Sequence, residues 1–510
     1  MSKDISFEKD AQNSIVRGID VTANAVGGTL GPKGRNVYID DAMQPKWTND
    51  GSTIATHIVL KDALENAGAK LVKNCCGQTN DDAGDGTTTT AVLLQAIIHE
   101  SLKCPENPME IRTSLLTAKE KVNKEIKKAS ISISKTDIRK VALISAENGA
   151  LADAISSIIN KVGERATITV EDGYDGRISY EIGEGYEAGV GFMLPNFIND
   201  TKKARCTMTD VHVLVTDKKI SSIGDIKPLW DIFQKEKISN CVVVCEDIEN
   251  AVLGVFVASK NAGLFNTLVI RATGDLLKDI EAAVGATRVS DSTGVAFHKL
   301  TLSNLGFVKK IISDQNTTLF IPKDYSGAVA YANNLENIMD IEPNMYIKER
   351  LKRRISQLRG GVATLRIGAP DFEREYLKDK ADDAIKASKS ALEEGIVEGG
   401  GMTLWRIAQN MKDKTVGERI LKRALTAPLK KIIDNAGKDY AEIVNGLMEI
   451  QMGYDAKNNV YVDMIESGII DPTKVERCAV ENAVSNAAQF ITGFCAITDH
   501  DDSTDSTKSN

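Results

Sequence analysis

The stretch AGDGTTTT, residues 83–90, combines residue types that bind phosphate groups in proteins. Gly84 and Gly86 allow backbone conformations that other residues avoid, and they let the chain approach a ligand closely. The threonines then begin an apolar helix, whose N-terminus offers free N–H groups and the positive end of the helix dipole. Asp85 adds a carboxylate that suits Mg²⁺ bridging phosphate oxygens. A threonine cap after a flexible turn would use the same residues, so this stretch alone leaves both interpretations open.

Two further glycine-rich stretches have the same character. GGTLGPKGRN at 27–36 could wrap a phosphate or a nucleotide base. EEGIVEGGG at 393–401 ends in three glycines, and without side chains another group can lie flat against the backbone. The P-loop pattern GxxxxGK[ST] is absent from the sequence, which excludes an ordinary P-loop ATPase or kinase.

The elements that would position these stretches fall into three blocks. The first 130 residues are mostly helical in pattern, and TTTAVLLQAIIHESL is apolar on nearly all sides, which predicts a buried helix. From about 165 to 325, six short β-rich runs predict an α/β block: ATITVED, VHVLVTD, NCVVVCED, NTLVIRA, KKIISD and TTLFIP. Helical patterns then return. One economical arrangement joins both helical ends into one domain, with the α/β block inserted.

The composition argues against several functional classes. The net charge of -8 and the lack of a long basic stripe argue against a nucleic-acid partner. Apolar runs fall far short of the roughly 20 residues that span a bilayer. The N-terminus lacks a signal core, so we expect a cytoplasmic protein. Eight cysteines without a CxxC pair predict reduced, mostly buried thiols. The polar tail, residues 498–510, is predicted to be disordered.

Taken together, these stretches resemble the group I chaperonins, the bacterial GroEL type. The shared motifs occur in the family's order: TLGPKGRNV, NDDAGDGTTTTAV, NPMEI, ITVEDG, DKKIS, EEGIVEGGG and GIIDPTKV. The resemblance runs from about residue 4 to about residue 498. It is weakest at about 200–325 and fails in the tail.

The resemblance implies a multidomain α and α/β fold, that of a GroEL-like chaperonin. Residues 1–130 and 395–510 would form a helical equatorial ATP-binding domain. Residues 131–184 and 362–394 would form a small intermediate hinge domain, and residues 185–361 an α/β apical substrate-binding domain.

The resemblance also implies which residues bind ATP. By position, they are Thr29, Leu30, Gly31, Pro32, Asn49, Asp85, Gly86, Thr87, Thr88, Thr89, Gly400, Asp455, Ala456 and Asp471. Among them, Asp85 would hold Mg²⁺ and Asp471 the ribose. Asp455 and Ala456 fall where the family contacts the base, although the family often has Asn at the first of these positions. K⁺ is a further candidate ion.

Two aspartates match catalytic positions of the family. Asp383 matches the carboxylate that comes from the intermediate domain and orients the attacking water. Asp50 matches a second acid near the γ-phosphate. In-line phosphoryl transfer needs positioning and charge neutralisation more than covalent chemistry. An acid on a hinged domain enters only on closure, so hydrolysis would time a conformational cycle.

The apical segment would carry substrate binding. By pattern alone, GDIKPLWDIFQK and NAVLGVFVAS predict core helices. In the family, two helices here form a groove for apolar segments of unfolded chains and for the co-chaperonin. Hydrophobic burial is non-directional, so such a groove binds without sequence specificity. The matching positions are Phe192, Phe197, Trp230, Leu253, Phe256, Val257 and Ala258.

The sequence departs from the family pattern at several points. Asn49 stands where the family has a lysine near the phosphates, so we expect ATP affinity or K⁺ dependence to differ. Lys227 stands in place of a groove leucine and Asn196 in place of a tyrosine, which bears on client and co-chaperonin binding. The glycine-rich segment after VIRA is missing, and the tail is acidic and rich in Ser and Thr.

The sequence therefore predicts an ATPase that acts as a chaperone. It would bind non-native polypeptides in its apical groove and promote their folding in a homo-oligomeric ring, heptameric as in the family, with a co-chaperonin as a candidate partner. The alternative is a chaperonin-like binding or scaffold protein with weak or absent ATP hydrolysis, which Asn49 and Lys227 motivate. The presence of Asp50, Asp85 and Asp383 favours the active ATPase.

Overall fold

The computed structural model describes residues 3–40, 46–133, 137–163, 167–173, 176–201 and 203–499. The chain divides into two compact units. Unit 1 comprises Met1–Ser156, Asp172–Ile178 and Ile367–Asn510, and unit 2 comprises Ser157–Glu171 and Ser179–Arg366. The predicted division into three domains stays a prediction. All but the first two residues of the predicted disordered tail lie outside the described residues.

Helices form most of unit 1 and flank the sheets of unit 2. The α-helices in the described residues are α1 (Glu8–Gly27), α2 (Gly51–His57), α3 (Ala63–Ala83), α4 (Thr87–Leu102), α5 (Pro108–Ala129), α6 (Ile138–Ala146), α7 (Gly149–Val162), α8 (Ile223–Glu236), α9 (Asn250–Asn261), α10 (Gly274–Val284), α11 (Ser326–Ile341), α12 (Met345–Leu358), α13 (Asp371–Glu394), α14 (Met402–Asn410), α15 (Val416–Ala424), α16 (Ala427–Asn435), α17 (Tyr440–Ile450) and α18 (Thr473–Ile491).

The strands are short in unit 1 and longer in unit 2. In the described residues they are β1 (Lys3–Phe7), β2 (Val37–Ile39), β3 (Lys46–Thr48), β4 (Thr167–Asp172), β5 (Ile178–Glu184), β6 (Tyr186–Ala188), β7 (Cys206–Thr216), β8 (Asn240–Cys245), β9 (Asn266–Arg271), β10 (Gly306–Ser313), β11 (Thr318–Pro322), β12 (Gly361–Ile367), β13 (Ile396–Glu398), β14 (Gly453–Asp455), β15 (Val460–Val462), β16 (Ile470–Pro472) and β17 (Cys495–Asp499).

Helix α4 lies in the main apolar core of unit 1. It packs against α1, α3 and α18. Apolar side chains on nearly every side, such as Leu93, Leu94, Ile97 and Ile98, are buried. A helix with no polar face is stable in water only when other elements surround it. The prediction of a buried helix here is confirmed, and the core fixes the position of the helix N-terminus.

Unit 2 is built on a six-stranded sheet with the order β6-β11-β10-β7-β8-β9. Strands β7, β8 and β9 run parallel, and the other pairs are antiparallel. Strand β8 is a continuous apolar run that is buried on both faces, as is typical of parallel strands. A separate three-stranded sheet has the order β4-β12-β5. All six predicted β-rich runs form strands, which confirms the α/β block.

The thiols behave as predicted. Six of the eight cysteines are buried, and all eight are free. Burial raises the pKa of several of these thiols, which makes them poor nucleophiles. None of the helices in the described part of the chain combines the length and the apolar character that crossing a bilayer requires.

A buried ion pair connects two helices of unit 2. Arg354 on α12 binds Asp279 on α10 with two hydrogen bonds of 2.7 and 3.0 Å, and Asp279 is almost fully buried. Arg354 also donates to the hydroxyl of Tyr331 on α11 at 3.1 Å. Burial raises the pKa of Asp279, and the guanidinium group opposes that rise. The charge on Asp279 is therefore tolerable only while Arg354 is present.

Replacing Arg354 with Met should destabilise unit 2 strongly. The change leaves a buried carboxylate without its cation, which typically costs about 3–5 kcal/mol. The measurement is urea unfolding followed by the fluorescence of Trp230, in a background in which Trp47 and Trp405 are Phe.

The matched control is Arg359→Met, which breaks an exposed pair with Glu336. That change should cost no more than about 1 kcal/mol. Equal losses of unfolding free energy in the two variants would show that the buried ion pair contributes no more to stability than the exposed one.

Candidate active site

The loop between α3 and α4 is held in one conformation by its glycines and by Asp85. Gly84 and Gly86 have φ angles of +77° and +82°, in the left-handed region that favours glycine. A Cβ atom on Gly84 would lie 2.2 Å from the Cβ of Lys386, so a side chain has no room there. The carboxylate of Asp85 accepts hydrogen bonds from the Gly86 N–H and from the Ser145 hydroxyl, both at 2.6 Å.

The first turn of α4 is open to a ligand. Its N-cap residue is Gly86, which has no side chain to accept the first N–H groups of the helix. The Thr90 hydroxyl turns inward and donates to the Gly86 carbonyl at 2.9 Å. Thr87 is buried, whereas Thr88 and Thr89 are half-buried. Uncapped N–H groups at a helix start form an anion site, which favours the phosphate interpretation of this stretch.

A second helix start meets the first. Asp50 caps α2 by accepting hydrogen bonds from the N–H groups of Ser52 and Thr53 at 3.3 and 2.6 Å. A Cβ on Gly51 would lie 2.6 Å from the Thr88 hydroxyl oxygen. The absence of a side chain at this position therefore lets the N-termini of α2 and α4 come together.

Asp383, on α13, lies near Asp85 in the loop before α4 and near Asp50 at the start of α2. Burial, followed by the charges of Asp85 and Asp50, raises the pKa of Asp383 well above its usual value. Lys380 and Lys386 oppose this rise. Asp85 and Asp50, from two other segments of unit 1, are thus within electrostatic reach of Asp383. These aspartates are far apart in sequence, and the tertiary fold brings them together.

The predicted nucleotide loop at 29–32 is supported by α16. The side-chain amide of Asn435 donates to the carbonyl oxygens of Gly27 and Leu30 at 3.0 and 2.9 Å. Thr29 is buried, and Gly31 has a φ angle of +84°. The backbone of the loop is therefore fixed, while Pro32 stays exposed.

The three-glycine stretch lies against Asp471. Strands β13 and β16 pair with Val397 opposite Asp471. The Gly400 N–H donates to the Asp471 carboxylate. A Cβ on Gly399 would lie 3.1 Å from Cγ of Asp471. The structure therefore brings Gly400 and Asp471 together, as two of the predicted nucleotide contacts require.

Glu476 is a site residue that the sequence analysis missed. It is buried on α18, and its carboxyl group is hydrogen-bonded to that of Asp471. Burial and the neighbouring charge of Asp85 raise the pKa of Asp471 to about 6, and burial raises that of Glu476 well above its usual range. Glu476 therefore keeps its proton to a higher pH than an exposed glutamate does. Glu476 precedes the buried Ala479, Val480 and Ala483 at helical spacing, a signal that could have revealed its burial.

The predicted base-contacting residues lie at the end of β14. Ala456 is buried in an apolar cluster against which Leu30 packs. Asp455 uses its carboxylate in its own turn, where it accepts from the Lys457 N–H at 2.8 Å and from the Asn458 amide at 2.7 Å. The structure thus joins Ala456 to the 29–32 loop. The side chain of Asp455 is satisfied locally.

Asn49 is placed beside α13. Its side chain is hydrogen-bonded to Tyr376. Its buried oxygen Oδ1 has no hydrogen-bond partner among the described residues. Within those residues, no cluster of three or more His, Cys, Asp or Glu side chains is arranged to hold a metal ion. Asp85 would therefore need further ligands, such as phosphate oxygens, to hold Mg²⁺.

The predicted groove residues in unit 2 fall into two groups. Phe197, Leu253 and Phe256 are buried in the core of the unit, so they support the surface without forming it. The ring of Trp230 meets that of Phe256 edge-on, with centroids 6.1 Å apart. The remaining members keep some surface in solvent: Phe192, Trp230 and Val257 are half-buried, and Ala258 is exposed.

The comparisons with known proteins agree with this architecture. The family model described as the TCP-1/cpn60 chaperonin family matches residues 22–223 and 231–493. A structure of the chaperonin gp146 from bacteriophage EL 2 (Pseudomonas aeruginosa), crystallised in the presence of ATP-BeFx, matches with a TM-score of 0.71 and 20% identity. The match covers 98% of this chain and 99% of that one. A second crystal form matches with a TM-score of 0.67 and 21% identity.

Replacing Glu476 with Gln should make stability less dependent on pH. In the unfolded chain a Glu ionises near pH 4.3, whereas in the folded chain Glu476 keeps its proton to higher pH. Folding therefore takes up a proton, and the free energy of unfolding falls as pH rises above the unfolded pKa. Gln preserves a donor to Asp471 and cannot ionise.

The measurement is the melting temperature from about pH 5 to about pH 8. The wild type should lose more stability over this range than Glu476→Gln. Glu481→Gln, a half-buried acid on the same helix, should follow the wild type. Equal losses in the wild type and Glu476→Gln would contradict the raised pKa of Glu476.

Proposed function

The chain belongs to the TCP-1/cpn60 chaperonin family, and we propose that it is an ATP-dependent chaperone that binds non-native polypeptides and promotes their folding inside a ring. The observation that carries this proposal is the approach of Asp50 and Asp85 to Asp383 beside the uncapped start of α4. Lys380 and Lys386 offset part of the charge of these three carboxylates, and a further cation would offset the rest. A magnesium-bound triphosphate would supply one.

The phosphates of ATP fit at the start of α4. The free N–H groups of the first turn and the half-buried hydroxyls of Thr88 and Thr89 would donate hydrogen bonds to an anion. Asp85 is the residue that would hold Mg²⁺ together with phosphate oxygens. When bound, that ion would neutralise charge on the phosphates and on the surrounding carboxylates.

Asp383 is the proposed general base. The carboxylate orients the attacking water and accepts its proton, and a raised pKa makes it a stronger base than an exposed aspartate. Asp50 is already fixed by two backbone N–H groups, so it contributes a stationary charge on the other side of the site. Positioning and charge are what phosphoryl transfer demands.

The remaining contacts would hold the nucleoside. The carboxylate of Asp471 is oriented by Gly400 and Glu476, and it would accept hydrogen bonds from the ribose hydroxyls. The 29–32 loop, with Leu30 packed on the cluster of Ala456, would cover the base. The phage chaperonin that shares the fold was crystallised with ATP-BeFx, which supports nucleotide binding here.

Client binding is assigned to unit 2. The half-buried and exposed groove residues, Trp230, Val257 and Ala258 among them, would contact apolar segments of unfolded chains, and a co-chaperonin would use the same surface. Lys227 is exposed on α8 and adds a charge to this surface. Clients with acidic residues beside their apolar segments would therefore be favoured.

Two small sheets of unit 1 support assembly into a ring, heptameric as in related chaperonins. The β1–β17 sheet leaves Phe7 and Phe494 more than half exposed, and the β2–β3 sheet does the same with Trp47. Two-stranded sheets have unpaired edges and are marginally stable alone in water. Copies of the chain would cover these edges and aromatic side chains.

The second candidate is a chaperonin-like scaffold without ATP hydrolysis. The neutral Asn49 favours it, because this position adds no positive charge for a phosphate. The carboxylate cluster favours the active ATPase, since a scaffold protein would have no use for two further aspartates placed near Asp383.

Replacing Asp383 with Asn should abolish turnover and preserve binding. The loss of a general base lowers the rate of ATP hydrolysis by about 10²–10⁴-fold. Affinity for MgATP should stay the same or rise, because a negative charge is removed. The measurements are steady-state hydrolysis with Mg²⁺, with and without K⁺, and calorimetric binding.

The control is Glu373→Gln, which removes an exposed acid at the start of the same helix and should leave turnover unchanged. Turnover that survives in Asp383→Asn would refute the assigned role. ATP binding without turnover in the wild type would favour the scaffold.

Replacing Trp47 with Glu should weaken ring assembly. A charge in place of a 65% exposed tryptophan cannot be buried in a subunit contact without a partner. The concentration needed for assembly should rise by at least about tenfold, the scale of one interface hot spot. The fraction of assembled protein at each concentration is measured by light scattering after size-exclusion chromatography. Val59→Glu, at an exposed position on another segment, should assemble normally; equal assembly of the two variants would contradict the contact.

A further inference from the structure

Lys380 is a nearly buried cation beside the carboxylate cluster. It precedes Asp383 by three residues on α13, so both side chains lie on one face of the helix. Its side chain is only 13% exposed. Burial disfavours its charge, but Glu147, Tyr376 and Asp383 outweigh burial and raise its pKa. Lys380 is therefore held in its charged form within electrostatic reach of Asp383.

The ammonium group of Lys380 has unused hydrogen-bonding capacity. Its Nζ donates to Oε1 of Glu147 at 2.7 Å, and it lies 5.8 Å from the centre of the Tyr376 ring. A lysine ammonium has three N–H donors. Within the described residues, Glu147 is its one hydrogen-bond acceptor. A desolvated ammonium with spare donors is costly unless something else accepts them.

The residues that hold Lys380 also form part of the site. Glu147 follows α6 with a φ angle of +52°, a left-handed conformation that is uncommon for a residue other than glycine. Ser145, two residues earlier, donates to Asp85. Tyr376 is hydrogen-bonded to Asn49, whose Oδ1 has no hydrogen-bond partner in the part of the chain that the structure describes. The end of α6 thus contacts the magnesium candidate and the lysine at once.

Other cations are less suited to this role. Lys386 also acts on Asp383, but it is exposed and its Nζ lies 3.4 Å from Oδ1 of Asn80. Lys33 and Arg35, in the 27–36 stretch, are exposed. An exposed ammonium remains hydrated and contributes little to binding an anion, whereas a desolvated one contributes more.

We propose that Lys380 is a phosphate-binding residue, whose ammonium group contacts the terminal phosphate of a bound nucleoside triphosphate and supplies the positive charge that Asn49 does not. The inference rests on the proposed ATPase function. Glu147 keeps the lysine charged and directed, and the spare donors are the ones offered to the phosphate. The site then discriminates a triphosphate from a diphosphate by charge.

The competing role is purely structural, in which Lys380 only ties α13 to α6. The two roles differ in what they predict for nucleotides. If Lys380 is only a structural tie, replacing it would lower the melting temperature and would weaken the affinity for ATP and for ADP equally. A phosphate contact would affect ATP and spare ADP, and it would respond to charge placed elsewhere in the site.

The experiment compares Lys380→Gln, Lys380→Arg and the double variant Asn49→Lys/Lys380→Gln. For each, kcat and KM for ATP are measured, with calorimetric affinity for MgADP and the melting temperature. Lys380→Gln should raise KM for ATP by about tenfold or more, the scale of a hydrogen bond to a charged group, with MgADP affinity unchanged. Lys380→Arg and the double variant should recover much of the loss.

Lys378→Gln is the matched control. It removes another buried lysine of α13, which is paired with Asp172 at 2.7 Å. It should lower the melting temperature without changing KM. If Lys380→Gln does not fold, Lys380→Arg and Asn49→Lys carry the test: Lys380→Arg should keep KM for ATP near the wild-type value, and Asn49→Lys should lower it.

The outcomes separate this inference from the proposed function. A wild type that neither binds nor hydrolyses ATP would overturn both. Normal wild-type turnover with an unchanged KM in Lys380→Gln, or equal losses for ATP and ADP, would overturn the phosphate contact and leave the ATPase intact.

Discussion

The gathering of partly buried acids around Asp383 is the constraint on which the candidate site of unit 1 depends. Asp85 and Asp50 come from two separate segments, and their charges raise the pKa of Asp383 on a third. Asp471 and Glu476 add a second acidic pair that interacts with Asp85. The apolar packing of α4 against α1, α3 and α18 maintains this arrangement against repulsion. Such a site gains most from a ligand that brings a divalent cation, so ligand binding and local stability are coupled.

Much of this architecture could be predicted from local patterns. An apolar run without a polar face predicted α4, and β-branched runs predicted six strands. These predictions were possible because the spacing of apolar residues can be read within each segment alone. The resemblance placed Asp85, Gly400 and Asp471 in one site. In the structure Asp471 lies against Gly400 and within electrostatic reach of Asp85, and their joint role in binding a nucleotide stays a prediction.

Other features depend on contacts between distant segments, which a single sequence does not reveal. Lys380 is one charge in a highly charged helix, and its burial follows from the packing of α13 against α6. In the sequence, Glu476 resembles an ordinary acid near a helix start. Its special environment becomes visible only when its partner Asp471, on β16, is known. In unit 2, Phe197, Leu253 and Phe256 matched groove positions by resemblance, but their side chains are buried in the apolar core. Position in a family motif does not determine exposure.

The most direct test of the account is the affinity of the wild-type chain for ATP by calorimetry, with Mg²⁺ and with the divalent cation chelated. The carboxylate cluster predicts binding with Mg²⁺ and a loss of at least about a hundredfold without it, on the scale of an uncompensated charge in a partly buried site. Equal affinity in both conditions, or no binding in either, would contradict the central claim that this cluster is built around a cation-bound triphosphate.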